Sequence, residues 1–239
     1  MEICARSFLI RLLPLAAGIA GVPLAAQTAQ SVTPAGSVRA LDERVAYVSD
    51  EAVNDVFELY GAPIDGSAAA VRLNLPLPAG GDVIFSSSGP FSGGAQFDQV
   101  AGDRVLYIAD QLANDVFELF SVPNFGRAPP VRLNGPLVAG GDVSAFLAGR
   151  KRVVYRADET IDNRYELYSV PLDGSAPSRS LTPGLNVHKL AALSRDGSKA
   201  VFTVFFFGKE LLYVVPTGGG QPRSSWATRV SPRASKPTS

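Results

Sequence analysis

The sequence predicts an all-β protein, a β-propeller of four four-stranded antiparallel blades. Three observations support this fold class. Blocks of sequence recur at offsets of 60 and then 48 residues, which is close to the length of a propeller blade. Each copy contains four short apolar segments, as a four-stranded blade requires. The chain also combines 23 Gly and 18 Pro with 46% hydrophobic residues, a composition typical of many turns between short strands.

The first 26 residues have the pattern of a secretory signal peptide. Arg6 and Arg11 precede an uncharged stretch rich in Leu, Ala and Gly, which ends in small residues at Ala26. A basic start, a short apolar run and a small-residue exit are the three parts of such a peptide. The run is shorter than the roughly 20 residues that a membrane-spanning helix needs. We expect cleavage after Ala26 and a periplasmic or secreted protein without a membrane span; an uncleaved anchor or a buried segment is the alternative.

Cys4 is the single cysteine, and it precedes the apolar run. A lipoprotein cysteine would follow that run, so we expect no lipid anchor. The chain that remains after cleavage contains no cysteine, which excludes disulfides and thiolate chemistry.

The first element of each repeat is a strand that begins with arginine. Arg44-Val-Ala-Tyr returns as Arg104-Val-Leu-Tyr and again as Arg152-Val-Val-Tyr, whereas the fourth copy has Lys199-Ala-Val-Phe. A second strand follows an Asp/Asn turn each time, as in a hairpin. It carries the block Phe-Glu-Leu-Tyr or a close variant in three copies and Leu211-Leu-Tyr in the fourth.

The remaining elements are a short outer strand and an inner strand. The segments beginning at Val71, Val131 and Arg179 follow the second block and predict the outer strand. The segment before each arginine block predicts the inner strand. The additional 12 residues of the first repeat fall in a Ser/Gly-rich stretch and predict an inserted loop. The expected organisation is a signal peptide (1–26), a linker (27–36), four blades (37–83, 95–141, 142–187, 188–227), an inserted loop (84–94) and a disordered tail (228–239).

A single blade cannot bury both of its faces, so the four blades are expected to stack face to face. The arrangement is either a small closed ring or an open arc. Pairing of Ser31–Leu41 with blade four would close the ring. An open arc would expose strand edges, which favours an oligomer or indicates a truncated fragment.

Two segments give the sequence a resemblance to a known repeat family. Ser194-Arg-Asp-Gly-Ser-Lys-Ala-Val-Phe-Thr203 and Glu166-Leu-Tyr-Ser-Val-Pro-Leu-Asp-Gly174 resemble the repeat elements of TolB-type β-propellers. Arg195 stands where that family usually has proline, and the resemblance extends over roughly 38–227. It implies a propeller fold and is weak for function, because the repeat occurs in many unrelated proteins.

Catalytic chemistry has little support in the sequence. His188 is the only histidine, and the chain lacks a Gly-x-Ser-x-Gly elbow, a phosphate loop and a dinucleotide-binding motif. Prolyl-oligopeptidase relatives carry similar propellers, but their catalytic domain is a separate α/β-hydrolase. We therefore interpret His188 as a solvated or edge residue and expect no catalytic residue.

The hairpins between the two central strands are acidic in three repeats. The residues are Asp50, Glu51 and Asp55; Asp110 and Asp115; and Asp158, Glu159 and Asp162. Carboxylates on one rim could bind Ca²⁺, but Asp and Asn also form good turns, and the spacing does not fit an EF-hand loop. We favour turn chemistry and expect no metal and no cofactor.

A glutamate recurs within the apolar second strand, as Glu58, Glu118 and Glu166. A buried carboxylate requires a partner, and the expected structural role is a repeated ion pair. Candidate partners are the arginines that begin the first strand (Arg44, Arg104, Arg152) and those of the outer strand (Arg72, Arg132). A ring of carboxylates that faces a ligand is the alternative.

Lys and Arg total 22, as do Asp and Glu, so no basic surface for nucleic acid is expected. We predict a non-enzymatic, exported module that binds a protein or peptide at a propeller rim. The alternatives are an accessory propeller of a peptidase-type hydrolase system and a truncated propeller without independent activity.

Overall fold

A computed structural model describes residues 39–41, 44–84, 97–99, 104–124, 126–220 and 223–224, with backbone only for 39–41, 97–99 and 223–224. The predicted signal peptide (1–26), the linker (27–36) and the tail (228–239) lie outside the described residues. The same holds for Trp226, which the repeat alignment assigns to blade packing, and for the inserted loop (84–94) apart from Ile84.

The described residues form four antiparallel four-stranded sheets, each from consecutive strands, which confirms the predicted fold class. The central strands of each blade are the two predicted apolar blocks, and the outer strand is only two residues long. The strands are β1 (Arg39–Leu41), β2 (Arg44–Ser49), β3 (Glu58–Pro63) and β4 (Val71–Arg72); β5 (Phe97–Gln99), β6 (Arg104–Ala109), β7 (Glu118–Pro123) and β8 (Val131–Arg132); β9 (Val143–Ala148), β10 (Arg152–Ala157), β11 (Glu166–Pro171) and β12 (Arg179–Ser180); and β13 (Val187–Leu193), β14 (Lys199–Phe206), β15 (Lys209–Pro216) and β16 (Arg223–Ser224).

Period-two alternation gives each blade two apolar faces. In blade two, Val105 and Tyr107 pack in a core shared with blade one. The intervening Leu106 and Ile108 pack in a core shared with blade three. We call the side toward the preceding blade the backward face and the side toward the following blade the forward face. A third core joins the forward face of blade three to the backward face of blade four.

A stacked aromatic pair marks the backward face of every blade. In blade two the rings of Tyr107 and Phe120 lie 5.5 Å apart at 26°. They come from directly paired positions of β6 and β7, so the strand register itself creates the stack. The equivalent pairs are Tyr47–Tyr60, Tyr155–Tyr168 and Phe202–Tyr213.

The Gly-Gly-Asp-Val segment connects one blade to the next through a repeated pair of hydrogen bonds. The Phe117 backbone N–H of blade two donates to Asp142 Oδ1 at 2.8 Å. The backbone N–H of Asp142 donates to Asp158 Oδ1 of blade three at 2.6 Å. Gly141 must lack a side chain here, because a Cβ would lie 2.6 Å from the Asp158 carbonyl oxygen. Asp82 links blades one and two in the same way.

The blades form an open arc, because the three cores join blades one to two, two to three and three to four. In the part of the chain that the structure describes, no core joins blade four to blade one. Pairing of Ser31–Leu41 with blade four was predicted to close the ring, and for residues 39–41, the part of this segment that the structure describes, the prediction is wrong. Arg39–Leu41 forms β1, which pairs with β2 of blade one along the whole strand.

Candidate functional site

The recurring glutamates are structural acceptors. Glu58 and Glu118 each accept a hydrogen bond from the outer-strand arginine of their own blade, Arg72 or Arg132, at 2.8 Å. These two arginines were among the predicted partners, and the ion pairs are confirmed. In blade two the arginine at the start of the first strand has another partner: Arg104 Nε donates to Ser121 Oγ at 2.7 Å.

In blade three, the carboxylate of Glu166 has a different set of hydrogen-bond donors. Arg164 lies 3.3 Å from Glu166 Oε1, the Ser180 hydroxyl donates to Oε2, and the Gly184 backbone N–H donates to Oε1. Arg152, the predicted alternative, donates instead to Ser169 Oγ. All three glutamates are buried, with 3–6% of their surface exposed. They therefore do not form a ring of carboxylates that faces a ligand.

The acidic hairpins use their carboxylates to fix turns. Asp110 Oδ2 accepts the Asp115 backbone N–H at 2.9 Å, and Asp158 Oδ2 accepts that of Asn163 at 2.8 Å. Asp115 and Asn163 have φ of 60°, a left-handed conformation that Asp and Asn tolerate. Within the described ranges, His, Cys, Asp and Glu form no group of three that could hold a metal ion.

Blade four departs from this pattern at its hairpin. Phe205 occupies the position that Asp158 has in blade three, and β14 and β15 have eight residues each instead of six. Phe207 and Gly208 form a two-residue turn with φ of 47° and 72°, the signs of a type I′ hairpin. We call Phe205–Gly208 the phenylalanine hairpin. Phe205, Phe206 and Phe207 are 54%, 60% and 90% exposed.

A cleft of about 270 Å³ lies beside this hairpin, between blades three and four. One side comes from the end of β10 and the hairpin that follows it, and the other from the start of β13 and the end of β14. This lining combines a cation, amides and aromatic rings. The lining residues are Arg156, Asn163, Tyr165, Asn186, Val187, His188 and Phe205.

Arg156 is the fixed cation of the cleft. Its guanidinium carbon lies 3.6 Å from the centre of the Tyr165 ring, a cation–π distance. Nε donates to the Val187 carbonyl at 3.0 Å, and Nη1 donates to Ser144 Oγ at 2.6 Å. Burial lowers the pKa of Arg156 and raises the pKa of Tyr165. The guanidinium is thus held in one orientation by both blades before any ligand arrives.

His188 lies on the opposite side of the cleft, at the start of β13. Its ring centre is 4.2 Å from that of Phe205, and Nε2 is 3.9 Å from Glu210 Oε1. The side chain is 45% exposed. This agrees with the prediction of a solvated edge residue, and it adds an aromatic contact that the sequence did not indicate.

Sequence reasoning did not single out the phenylalanine hairpin, Arg156 or Tyr165. The signal for the hairpin was present, because three successive phenylalanines replace the acidic turn of the other repeats. Arg156 and Tyr165 looked like ordinary strand residues. The hydrogen bond that fixes Arg156 at the cleft comes from Val187 of the next blade, which the repeat pattern does not indicate.

Comparisons with known proteins support the fold. No protein-family model matches the sequence, and no curated protein matches it. Among solved structures, a puromycin-hydrolysing peptidase from Mycobacterium tuberculosis is similar with a TM-score of 0.52 and 16% identity. A structure from a study of two prolyl endopeptidases has a TM-score of 0.51 and 14% identity. TolB from Acinetobacter baumannii has a TM-score of 0.42 and 12% identity.

The alignments cover 79%, 76% and 76% of this chain but only 30%, 24% and 42% of those three proteins. The chain therefore spans less than half the length of each. At these identities the likeness shows the fold alone, which is the class of repeat β-propellers predicted from the sequence. Across the described ranges, no helix is long and apolar enough to cross a membrane.

Proposed function

We propose that this chain is a non-enzymatic, exported β-propeller that binds a protein or peptide partner at the phenylalanine hairpin and the adjoining cleft. The observation that carries the proposal is the exposure of three successive phenylalanines at one hairpin tip. Clustered exposed aromatic side chains on a folded surface are typical of protein-binding sites.

The conformation of Phe207 strengthens this proposal. A bulky residue with positive φ is a conformational outlier, whereas Asn is the preferred residue at this position of a type I′ turn. Phe207 is 90% exposed, and its edge-to-face contact with the Phe206 ring at 4.5 Å leaves most of its surface in water. Strain that folding does not require is concentrated at functional sites, and here a partner that covers the ring would account for it.

The cleft indicates the kind of segment that binds. The hairpin offers aromatic surface for apolar side chains of the partner. Asn163 and Asn186 provide amide groups for its backbone, and Arg156 provides a charge for a carboxylate. We therefore expect an extended peptide segment that combines apolar side chains with an acidic group.

The binding site is tested by capture from an envelope extract with the purified chain as bait, followed by mass spectrometry and titration of the captured partner. Phe206→Ser and Phe207→Asn each remove an exposed ring without disturbing a core. Loss of an aromatic contact at the centre of an interface costs about 2 kcal/mol or more, so we expect binding to weaken by roughly thirtyfold.

Val53→Ser is the matched control. Val53 is 59% exposed at a hairpin of blade one, distant in sequence from the proposed site, and its substitution should leave the affinity unchanged. A partner that binds Phe206→Ser, Phe207→Asn and wild type equally well would show that the site lies elsewhere.

The second candidate function is that of an accessory propeller in a peptidase-type system. It is favoured by the likeness to two peptidase structures. The test is a panel of peptidase and esterase substrates, on which we expect no turnover that depends on His188. An activity that His188→Ala abolishes would instead assign catalysis to this chain.

A further inference from the structure

The two ends of the open arc each present one half of a blade-to-blade interface. The backward face of blade one has no preceding blade among the described residues, and the forward face of blade four has no following blade. The backward face of blade one includes Val45, Tyr47, Tyr60 and Ala62, and the forward face of blade four includes Val201, Thr203, Leu212 and Val214. Tyr60 and Thr203 are buried, and the other six residues are partly buried.

The backward face of blade one has the same construction as the interior backward faces. The rings of Tyr47 and Tyr60 stack at 5.6 Å and 23°, as Tyr107 and Phe120 do at 5.5 Å and 26°. Tyr107 is fully buried by blade one, whereas Tyr47 remains partly exposed. The face therefore has the geometry of an interior interface without the blade that would cover it.

The apolar residues on the forward face of blade four lie at the same repeat positions as those on the interior forward faces. Val201 and Leu212 occupy the places of Val154 and Leu167 in blade three. Val154 and Leu167 are fully buried against blade four. Val201 and Leu212, with Val214 beside them, are only partly buried.

The polar groups on the two faces already have partners. The Thr203 hydroxyl donates to Glu210 Oε1 at 2.7 Å, and the Tyr60 hydroxyl donates to Glu58 Oε2 at 2.9 Å. Burial of either face therefore leaves neither hydroxyl without a hydrogen bond. Each face is suited to contact with an apolar surface.

We infer that a second copy of this chain covers these faces in a head-to-tail dimer. The aromatic backward face of blade one in each copy packs on the aliphatic forward face of blade four in the other copy. This repeats the contact that joins blades two, three and four within the chain. Two such identical contacts close a ring of eight blades, which lies within the range known for propellers.

Analytical ultracentrifugation of the purified full chain tests this inference. The expected mass is twice the 25.1 kDa of one chain, or about 50 kDa. Leu212→Glu and Tyr47→Glu each place a charge in one of the proposed contacts, which should weaken the dimer at least tenfold. Val53→Glu is the exposed control and should remain dimeric. Circular dichroism and thermal melts establish that each variant is folded.

Mixing the two variants tests the head-to-tail arrangement. A Leu212→Glu copy keeps its blade-one face, and a Tyr47→Glu copy keeps its blade-four face. Their mixture therefore regains one intact contact and should associate more strongly than either variant alone. A monomeric wild type at 100 µM, an open series of larger oligomers, or a dimer that is insensitive to Tyr47→Glu would each overturn the inference.

Discussion

At the residue scale, the chain uses carboxylates as internal acceptors, and Asp142 is the most informative case. Burial raises the pKa of its carboxyl group above the ordinary value, with nearby acids such as Asp158 adding to the effect. Asn186 stands at the equivalent position between blades three and four and accepts the Tyr165 backbone N–H at 3.1 Å. The hydrogen bond thus requires an oxygen acceptor and does not require a charge.

We predict that Asp142→Asn is as stable as wild type or more stable at pH 7, because the amide oxygen can accept the same N–H without a buried charge. A carboxyl group whose folded pKa is raised loses stabilising effect as pH rises from its unfolded pKa through its folded pKa. The advantage of Asn should therefore be present at neutral pH and shrink toward pH 4. Urea melts at both pH values measure it.

Asp142→Ala is the comparison variant. It leaves the backbone N–H of Phe117 without its acceptor, which costs about 1–3 kcal/mol. Equal destabilisation by Asn and Ala at pH 7 would show that the charge itself is required at the blade connection.

The ion pair of Glu118 leads to a second prediction. Breaking a fully buried pair costs about 3–5 kcal/mol, but the Arg132 side chain is 43% exposed, so water can solvate it when the carboxylate is removed. We expect Glu118→Ala to lose about 1–3 kcal/mol in urea melts. A loss below about 0.5 kcal/mol would contradict a structural role.

A suitable control for Glu118→Ala must not introduce backbone strain. Asp115→Ala would place alanine at φ of 60°, which adds a cost of about 1–2 kcal/mol unrelated to charge. Asp115→Asn avoids this, because Asn163 already occupies the equivalent position of blade three with the same φ. It should change stability by less than about 0.5 kcal/mol.

Residue roles were predictable only in part from the sequence. The glutamates were correctly assigned to ion pairs, because a carboxylate within an apolar strand must have a partner. The sequence could not show whether Arg104 or Arg132 lies close enough to pair with Glu118. Arg104 lies instead beside Ser121 across the β6–β7 pair. Arg156 was missed because its partner Val187 belongs to another blade.

At the element scale, the phenylalanine hairpin is where stability and function are expected to conflict. Phe207 adopts a left-handed conformation that costs about 1–2 kcal/mol for an ordinary residue. Asn lowers this cost in a type I′ turn. We predict that Phe207→Asn raises the free energy of unfolding by about 1 kcal/mol while weakening partner binding.

A thermal melt beside the binding titration checks both parts of this prediction. Phe206→Ser is the control for stability, since it abolishes the same edge-to-face contact between the two rings without changing the residue in the left-handed conformation. A destabilised Phe207→Asn would mean that the ring packs within the chain, which would remove the argument for a partner.

The elements themselves were largely predictable. Repeated Arg-Val and Phe-Glu-Leu blocks placed the two central strands of three blades at the observed positions, because alternation and turn residues are local signals. The phenylalanine hairpin was not predicted, since the eight-residue strands of blade four extend through a sequence that has lost the repeat pattern. The degenerate repeat thus coincides with the site that we propose for partner binding.

At the scale of the whole molecule, the open arc makes the blades unequal. In a repeat protein each unit is stabilised by its own fold and by its nearest neighbours. Among the described residues, blades two and three each share a core with two other blades, and blades one and four each share a core with one. The sequence could not decide between ring and arc, because the rotation from blade to blade depends on how the cores pack and not on the repeat pattern.

Export is a prediction at the same scale. If the basic start and apolar run act as a signal peptide, the exported product begins near Gln27, which N-terminal sequencing of a periplasmic or secreted fraction would reveal. Recovery of the intact Met1 form in the cytosol would contradict it.

The last prediction concerns how the arc unfolds. Phe202 is fully buried between blades three and four, and Phe202→Ala should cost about 3–5 kcal/mol. Because blade four shares a core with a single blade in the described part of the chain, we expect local unfolding: the amides of β14 and β15 should exchange rapidly while those of β6 and β7 stay protected. Tyr107→Ala, in an interior blade, should instead deprotect blades one and two together. Hydrogen exchange followed by mass spectrometry, at a dilution at which ultracentrifugation shows a monomer, separates these patterns. Equal loss of protection in all four blades for both variants would show that the arc unfolds as one cooperative unit.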